Sequence, residues 1–315
     1  MLAEFRVVFD IVLPILVLGL AGYAGARAGY LSPALANGLS AYVFDIAMPV
    51  VLLRTFANMD MPADPPWALL ASFYLPGYAV FLGTMLVARR WHPADRAGRV
   101  LTAYGCCAGN AVLIGLPLIS RAAGDAGLVP YFILMTIHTL AYLTPGTILI
   151  ELSRNRSGSP RALPREVLRA VGTNPIIVAT VVGLAMNALS LRLPAALDDA
   201  AQYLSESVTP CALIALGAAL SRYHLRGGGW QTAYVATVKL FALPALVALL
   251  ALYVFELDRT WAMVAVLLSA QPSAIMFQVL AERYQAAQAA AASAVLITTV
   301  ASIVWMPVLL FLFHR

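Results

Sequence analysis

The sequence predicts an all-α membrane protein with ten transmembrane helices, arranged as two inverted repeats of five helices. Three observations lead to this fold class. Hydrophobic residues make up 62% of the 315 residues and charged residues only 11%, whereas soluble domains carry about 25% charged residues. Long apolar runs follow one another along the chain with short connections between them. Prolines recur at matched positions in its two halves.

The apolar runs define the predicted spans. A helix needs about 20 residues to cross a bilayer, so ten helices leave no room for a separate soluble domain. The first run is apolar enough for a signal peptide, but Glu4 close to Arg6 is not the plainly basic start of such a peptide. The predicted spans cover residues 6–26, 37–57, 67–88, 99–120, 128–150, 174–191, 200–221, 230–254, 260–281 and 290–313.

The basic residues predict the orientation of these spans. Thirteen of them lie in the odd-numbered loops, and only five lie at the termini and in the even-numbered loops. By the positive-inside rule the odd-numbered loops are cytoplasmic, so both termini face outward. We therefore expect a multi-pass protein of a bacterial inner (cell) membrane with periplasmic termini. The net charge of +5 follows from this topology, and we expect no nucleic-acid partner.

The prolines of the spans indicate an internal repeat. Each proline of spans one to five has a counterpart 155 to 168 residues further on, and the pairs Gly22/Gly183 and Asp45/Glu206 are both 161 residues apart. Prolines are common in membrane helices, but that alone does not explain matched positions in all five pairs of spans. The ten prolines are Pro14, Pro49, Pro76, Pro117 and Pro145, followed by Pro175, Pro210, Pro244, Pro272 and Pro307.

This repeat predicts the organisation of the chain and its class of function. We expect a first five-helix repeat in residues 1–150, a basic cytoplasmic linker in 151–173 and a second repeat in 174–315. An odd number of helices in each unit makes the second copy inverted. Inverted repeats with broken helices are typical of secondary transporters. An anion channel is the alternative, although nothing resembles a selectivity-filter ring.

Other classes of protein find little support in the residues. The spans contain no Gly-x-Ser-x-Gly or His-Glu-x-x-His motif, so we do not predict an enzyme. Cys106, Cys107 and Cys211 all lie in apolar runs without the spacing of metal ligands, which favours a packing role. We therefore expect neither a bound metal nor a cofactor.

Two polar stretches that contain proline predict breaks in spans four and nine. Span four has Asn110 and Pro117, and span nine has Gln271, Pro272 and Ser273. Proline removes a backbone donor and crowds the carbonyl four residues back. We expect breaks at Pro117 and Pro272 that face each other near the midplane, where the N-termini of half-helices favour anions. A pair of kinks without function is the alternative.

These stretches resemble the auxin efflux carrier family, which includes the plant PIN-formed carriers and bacterial carriers of malonate and related acids. Residues 110–118 have the form Asn-x4-Gly-x-Pro-Leu, and residues 271–284 keep the family spacing of proline, alanine and tyrosine. Lys239, five residues before Pro244, fits the basic position of the family in span eight. The resemblance covers nearly the whole chain.

The resemblance implies two crossing broken helices beneath an anion site and an elevator mechanism. Spans three to five and eight to ten would form the moving unit, and spans one, two, six and seven the scaffold, often in a homodimer. Gln271-Pro272-Ser273 stands where plant carriers read Leu-Pro-Gln. We therefore expect small mono- or dicarboxylates rather than auxin as substrates, and a sodium-coupled carrier similar to bile-acid symporters as an alternative.

The polar residues inside the spans are the candidates for function. Lys239 is expected to bind substrate or take part in coupling, or else to pair with Asp45 or Glu206, because an unpaired intramembrane charge is costly. Arg54 lies near a span end, where snorkelling is the simpler explanation. The substrate-binding candidates are Asn110, Gly115, Pro117, Gln271, Pro272, Ser273 and Lys239.

Three further side chains are candidates for coupling to protons or sodium. His138 could relay protons, since the pKa of a histidine lies near neutrality, although a buried, hydrogen-bonded histidine is the simpler explanation. Asp45 and Glu206 could bind protons or sodium, but their place on the expected scaffold favours roles at a dimer contact or a hinge.

Overall fold

The computed structural model describes residues 2–58, 66–138, 141–142, 145–146, 149, 175–222 and 227–314. Within these ranges the chain is helical and has no β-strand, apart from one isolated bridge between Gly109 and Ser273. The predicted all-α class is confirmed. Its helices are α1 (Leu2–Arg27), α2 (Pro33–Asn58), α3 (Trp67–Val87), α4 (Arg96–Cys107), α5 (Ala111–His138), α6 (Pro175–Ala188), α7 (Ala195–Leu220), α8 (Gly229–Val254), α9 (Arg259–Ser269), α10 (Ile275–Arg283) and α11 (Gln288–His314).

Six of the described helices, namely α2, α3, α5, α7, α8 and α11, are long and apolar enough to cross a membrane. Predicted span four is divided between α4 and the first half of α5. Gly124, with φ of 54°, then interrupts α5 before the start of predicted span five. The later residues of span five and the predicted linker 151–173 lie largely outside the described residues.

Three π turns show how the helices accommodate their prolines. The turns Val43–Ala47, Ala111–Gly115 and Val238–Ala242 each end two residues before a proline, at Pro49, Pro117 and Pro244. Proline lacks an N–H and crowds the preceding turn, and a π turn widens the helix by one residue at that point. Pro117 therefore continues a helix, and the predicted break at Pro117 is wrong.

The helices form two compact units, and each unit draws on both halves of the sequence. We call the first the crossing unit; it contains α3, α4, α5 and α8 to α11. The second, the scaffold unit, contains α1 from Pro14 onward, α2, α6 and α7. These are the two sets of spans that the family resemblance groups together. The sequence repeats are therefore not separate compact domains.

In the scaffold unit, glycines allow two close contacts between helices. A Cβ atom on Gly22 would collide with the backbone of Ile214, and a Cβ atom on Gly183 would lie 2.8 Å from the carbonyl oxygen of Leu53. Small residues let membrane helices approach closely. Gly22 and Gly183 are 161 residues apart, and so are Leu53 and Ile214. The same contact thus occurs twice, with the two halves of the chain exchanged.

An ion pair also joins two helices of the scaffold unit. Arg54 donates from Nε to Oδ1 of Asp198 at 2.8 Å and from Nη2 to Oδ2 at 3.0 Å. Two parallel bonds of this kind fix the geometry of both side chains. Arg54 is therefore held by a carboxylate, a partner that the sequence did not indicate.

Candidate functional site

The helices of the crossing unit are interrupted at two segments that meet. Ala108 to Asn110 separate α4 from α5, and Ala270 to Ala274 separate α9 from α10. The N–H of Asn110 donates to the carbonyl of Pro272 at 2.9 Å, and the N–H of Ala274 donates to the carbonyl of Ala108 at 3.0 Å. The two interrupted segments therefore hold each other through reciprocal backbone hydrogen bonds.

These two bonds define a register between the halves of the chain. Residues 110 and 274 are 164 apart, as are residues 108 and 272, so either bond becomes the other when the halves are exchanged. The proline pairing of the sequence, 117 with 272, uses an offset of 155. Pro272 lies in its interruption, whereas Pro117 lies seven residues beyond its own. The two prolines are therefore not structurally equivalent.

Lys239 lies fully buried at this crossing. Its ammonium donates to the carbonyl of Cys107 at 3.2 Å and to the carbonyl of Ser269 at 2.7 Å. These are the last residues of α4 and α9, so one positive charge neutralises the C-terminal ends of two helices. Among the described residues no carboxylate lies within salt-bridge distance of it. An ammonium has three N–H groups, and these carbonyls use two of them.

Asn110 and Gln271 each present one buried polar atom without a partner among the described residues. These atoms are Nδ2 of Asn110 and Oε1 of Gln271. The Nε2 of Gln271 donates to the carbonyl of Leu267 at 3.1 Å, which sets the orientation of the amide. In this geometry Asn110 offers a donor and Gln271 offers an acceptor. Their role as substrate-binding residues stays a prediction.

Both hydrogen-bond donors of Ser273 are used within the crossing. Its hydroxyl donates to the carbonyl of Gly105 at 2.8 Å, and its N–H donates to Oγ1 of Thr298 at 3.0 Å. A carboxylate needs donors, and the only hydroxyl hydrogen of Ser273 is already used. In this geometry Ser273 has no hydroxyl hydrogen left for a substrate, and its place among the substrate-binding candidates stays a prediction.

Glycines make the close approach at the crossing feasible. A Cβ atom on Gly109 would lie 2.9 Å from Cβ of Gln271 and 3.2 Å from Nζ of Lys239. A Cβ atom on Gly115 would lie 3.7 Å from the amide carbon of Gln271. Gly109 was not among the predicted site residues, although its place directly before Asn110 was a signal that could have identified it.

The structure thus divides the predicted site residues into two groups. Asn110, Gly115, Gln271, Pro272, Ser273 and Lys239 come together at the crossing, and Pro117 follows in α5. His138 lies elsewhere in the crossing unit, 5.1 Å from Tyr142 and 6.1 Å from Phe73 between ring centroids. Its Nδ1 is buried without a partner among the described residues, so the expected hydrogen bond to that atom is absent from this part of the chain.

The two acidic candidates belong to the scaffold unit. Asp45 lies in the π turn of α2 and is exposed. Glu206 is also exposed and accepts a hydrogen bond from Gln202 at 2.9 Å. No cluster of three His, Cys, Asp or Glu side chains suited to a metal ion occurs within the described ranges.

Comparison with known proteins identifies the kind of molecule that carries this site. A family model described as membrane transport protein matches residues 7–310. The "Putative malonate transporter" of Rhizobium meliloti (strain 1021) is 24% identical over 302 residues, which cover 96% of this chain and 94% of that protein. "Auxin efflux carrier component 8" of Arabidopsis thaliana is 23% identical, covering 86% and 88% of the two chains.

A third relative comes from an archaeon. The "Uncharacterized transporter" of Methanothermobacter thermautotrophicus is 26% identical over 304 residues, which cover 95% of this chain and 96% of that protein. The family model spans nearly the whole sequence, and these relatives are transporters rather than enzymes. The chain is therefore a multi-pass membrane transporter that belongs to the membrane transport protein family, the family of the auxin efflux carriers.

Proposed function

We propose that the chain is a secondary active transporter of small organic anions, such as mono- or dicarboxylates, and that the helix crossing is its substrate site. One observation carries this proposal: within the described residues, Asn110 and Gln271 leave a buried donor and a buried acceptor unpaired in the two interrupted segments that meet where Lys239 is buried. Buried polar atoms in proteins nearly always have partners. We therefore expect a ligand at this crossing to supply the missing partners.

The charge of the crossing favours an anion. Lys239 neutralises the negative C-terminal ends of α4 and α9. The positive N-terminal ends of α5 and α10, which begin at Ala111 and Ile275, lie directly after the two interrupted segments. A carboxylate can accept from Asn110 and Lys239, and a hydroxyl or protonated carboxyl on the same molecule can donate to Gln271. A small acid with two polar ends fits this set.

The two compact units support an elevator-type alternating access. The crossing unit carries the unpaired polar atoms, and the scaffold unit carries the tight glycine contacts. The contacts that recur 161 and 164 residues apart support ten spans in two inverted five-helix repeats, and such repeats generate alternating access. We extend the proposal to a homodimer in a bacterial inner membrane with both termini outside. Coupling to H+ or Na+ through His138, Asp45 or Glu206 belongs to the same proposal.

Uptake into proteoliposomes tests this proposal. Purified protein is reconstituted, and uptake of labelled malonate, acetate and auxin is measured separately under a pH gradient and under a sodium gradient. We expect saturable malonate uptake with counterflow, and no comparable uptake of auxin. The driving gradient distinguishes proton coupling from the sodium-coupled alternative. Electrical current without counterflow would indicate an anion channel, and no uptake of any acid would contradict the proposed substrate class.

A further inference from the structure

A second site lies at the end of α3, in the crossing unit and away from the helix crossing. It is a cleft of about 280 Å³ between the end of α3 and the start of α4. Its lining combines three apolar side chains and three arginines. The lining residues are Leu82, Met85, Leu86, Arg89, Arg96 and Arg99.

The apolar half of the cleft faces away from the protein. Leu82, Met85 and Leu86 are spaced so that they share one face of α3, and Arg89 lies in the short turn Ala88–Arg90 that follows it. Leu82 is 62% exposed and Leu86 is 61% exposed in the whole chain. On a helix that spans a membrane, an exposed apolar face of this kind lies against acyl chains. Arg89 ends the apolar stripe at the level where the helix leaves the hydrocarbon.

The charged half of the cleft has free donors. Arg89 and Arg96 are exposed, and within the described part of the chain neither has a hydrogen-bond or ion-pair partner. Arg99 is held in place, because its Nε donates to the carbonyl of His92 at 2.7 Å and its Nη2 donates to the carbonyl of Pro93. The nearby carboxylate of Asp95 caps α4 by accepting from the N–H of Ala97. The cleft therefore carries a net positive charge.

We propose that this cleft binds an anionic phospholipid, with its phosphate at Arg89 and Arg96 and one acyl chain along Leu82, Met85 and Leu86. The planar guanidinium group binds phosphate oxygens through paired hydrogen bonds. Basic pockets at the ends of membrane helices attract anionic headgroups. The positive-inside rule accounts for arginines in this loop, but it requires neither a shared cleft nor an adjoining apolar face. A soluble anion would leave that apolar face unused.

Native mass spectrometry of the detergent-purified protein tests the site with equal amounts of phosphatidylglycerol and phosphatidylcholine. Arg89→Ala is compared with Arg90→Ala, because both variants lose one charge and Arg90 does not line the cleft. We expect the wild type and Arg90→Ala to retain at least five-fold more phosphatidylglycerol than phosphatidylcholine. Arg89→Ala should lose this preference while its melting temperature in detergent without lipid stays that of the wild type.

Two further experiments distinguish a phospholipid from a soluble phosphate compound as the ligand of the cleft. Soluble glycerol 3-phosphate should not displace the lipid at equal concentration, and Leu86→Gln should weaken lipid retention although it leaves every arginine in place. Equal loss of phosphatidylglycerol in Arg89→Ala and Arg90→Ala would overturn the proposal, because general surface charge would then explain the binding. Equal competition by glycerol 3-phosphate would also overturn it, because the apolar half would then contribute nothing.

Discussion

The crossing unit and the scaffold unit use similar apolar helices in different ways. In the scaffold unit, glycines bring helix backbones into contact, and Arg54 has a carboxylate partner in Asp198. In the crossing unit, two helices are interrupted, and Lys239 is buried with only carbonyl partners among the described residues. In the part of the chain that the structure describes, Nδ2 of Asn110 and Oε1 of Gln271 have no partner there.

This difference concerns how the polar groups of each unit affect its free energy of unfolding. Hydrogen-bonded polar groups and close packing contribute to stability. Unpaired buried donors and acceptors reduce stability by about 1–3 kcal/mol each. Under the proposed function, the crossing unit bears this loss because its site must accept and release a ligand. The predictions below test this difference between the crossing unit and the scaffold unit.

The largest effect is expected for Lys239→Met. Methionine leaves the carbonyls of Cys107 and Ser269 buried without a partner, at about 1–3 kcal/mol each, although it also removes the cost of burying an ammonium. We expect a net loss of about 1–3 kcal/mol in the free energy of unfolding and no measurable carboxylate binding. Thermal unfolding and calorimetry on the purified variant measure both quantities.

The matched change in the scaffold unit is Arg54→Met. Arg54 is part-exposed beside Asp198, so we expect a smaller drop in melting temperature and an unchanged affinity for carboxylates. If Arg54→Met abolished binding as Lys239→Met does, the functional contrast between the two units would be lost.

A loss of stability without any effect on affinity is expected for Gly22→Ala. The new Cβ atom would collide with the backbone of Ile214, and overpacking of this kind costs about 1–3 kcal/mol. Gly19→Ala is the control, since a Cβ atom there meets nothing within 4 Å. Thermal unfolding should show a lower melting temperature for Gly22→Ala and no loss for Gly19→Ala. Equal melting temperatures would mean that the close contact is absent.

The smallest effect concerns His92, in the loop after α3. Burial lowers the pKa of His92 from its usual 6.5, against the opposing influence of the Asp95 carboxylate. Gln231 donates from Nε2 both to His92 Nε2, at 2.9 Å, and to Thr102. The folded protein disfavours the protonated ring of His92. The contribution of the neutral ring to stability is therefore complete above pH 6.5 and is lost as the pH falls toward the lower pKa of the folded state.

We therefore expect the melting temperature to fall modestly between about pH 7 and pH 5, and His92→Gln to flatten this part of the profile. Scanning calorimetry over that range on both proteins provides the comparison. An identical pH profile in His92→Gln would assign the dependence to other groups.

The positions of the helices could be predicted from the sequence because hydropathy and length are local properties. Apolar runs determine where spans begin and end, and within the described residues a helix covers at least part of each of the ten predicted spans. The interruption in span four could not be located in the same way. Pro117 was the obvious helix breaker, but a π turn absorbs it, and the chain opens at Gly109, where another backbone segment supplies the hydrogen bonds.

For the candidate site, the sequence indicated which residues to consider but not the contacts that each of them makes. Asn110 and Lys239 were identified from their polarity within apolar runs. The carbonyl partners of Lys239 belong to Cys107 and Ser269, 132 and 30 residues away, and no side-chain pattern indicates backbone carbonyls. The orientation of the Gln271 amide depends on the carbonyl of Leu267 in a folded helix. Such roles arise only when the helix ends have been brought together.

Calorimetric titration of malonate into the wild type, Asn110→Ala and Asn187→Ala tests the central claim most directly. Within the described residues Nδ2 of Asn110 is unpaired, whereas Nδ2 of Asn187 in the scaffold unit donates to the carbonyl of Ala57 at 3.2 Å. A hydrogen bond to a charged group contributes about 1.5–3 kcal/mol, so Asn110→Ala should bind roughly ten- to a hundred-fold more weakly with wild-type stability. Asn187→Ala should lose stability and keep its affinity. Wild-type affinity in a folded Asn110→Ala would contradict the assignment of the crossing as the substrate site.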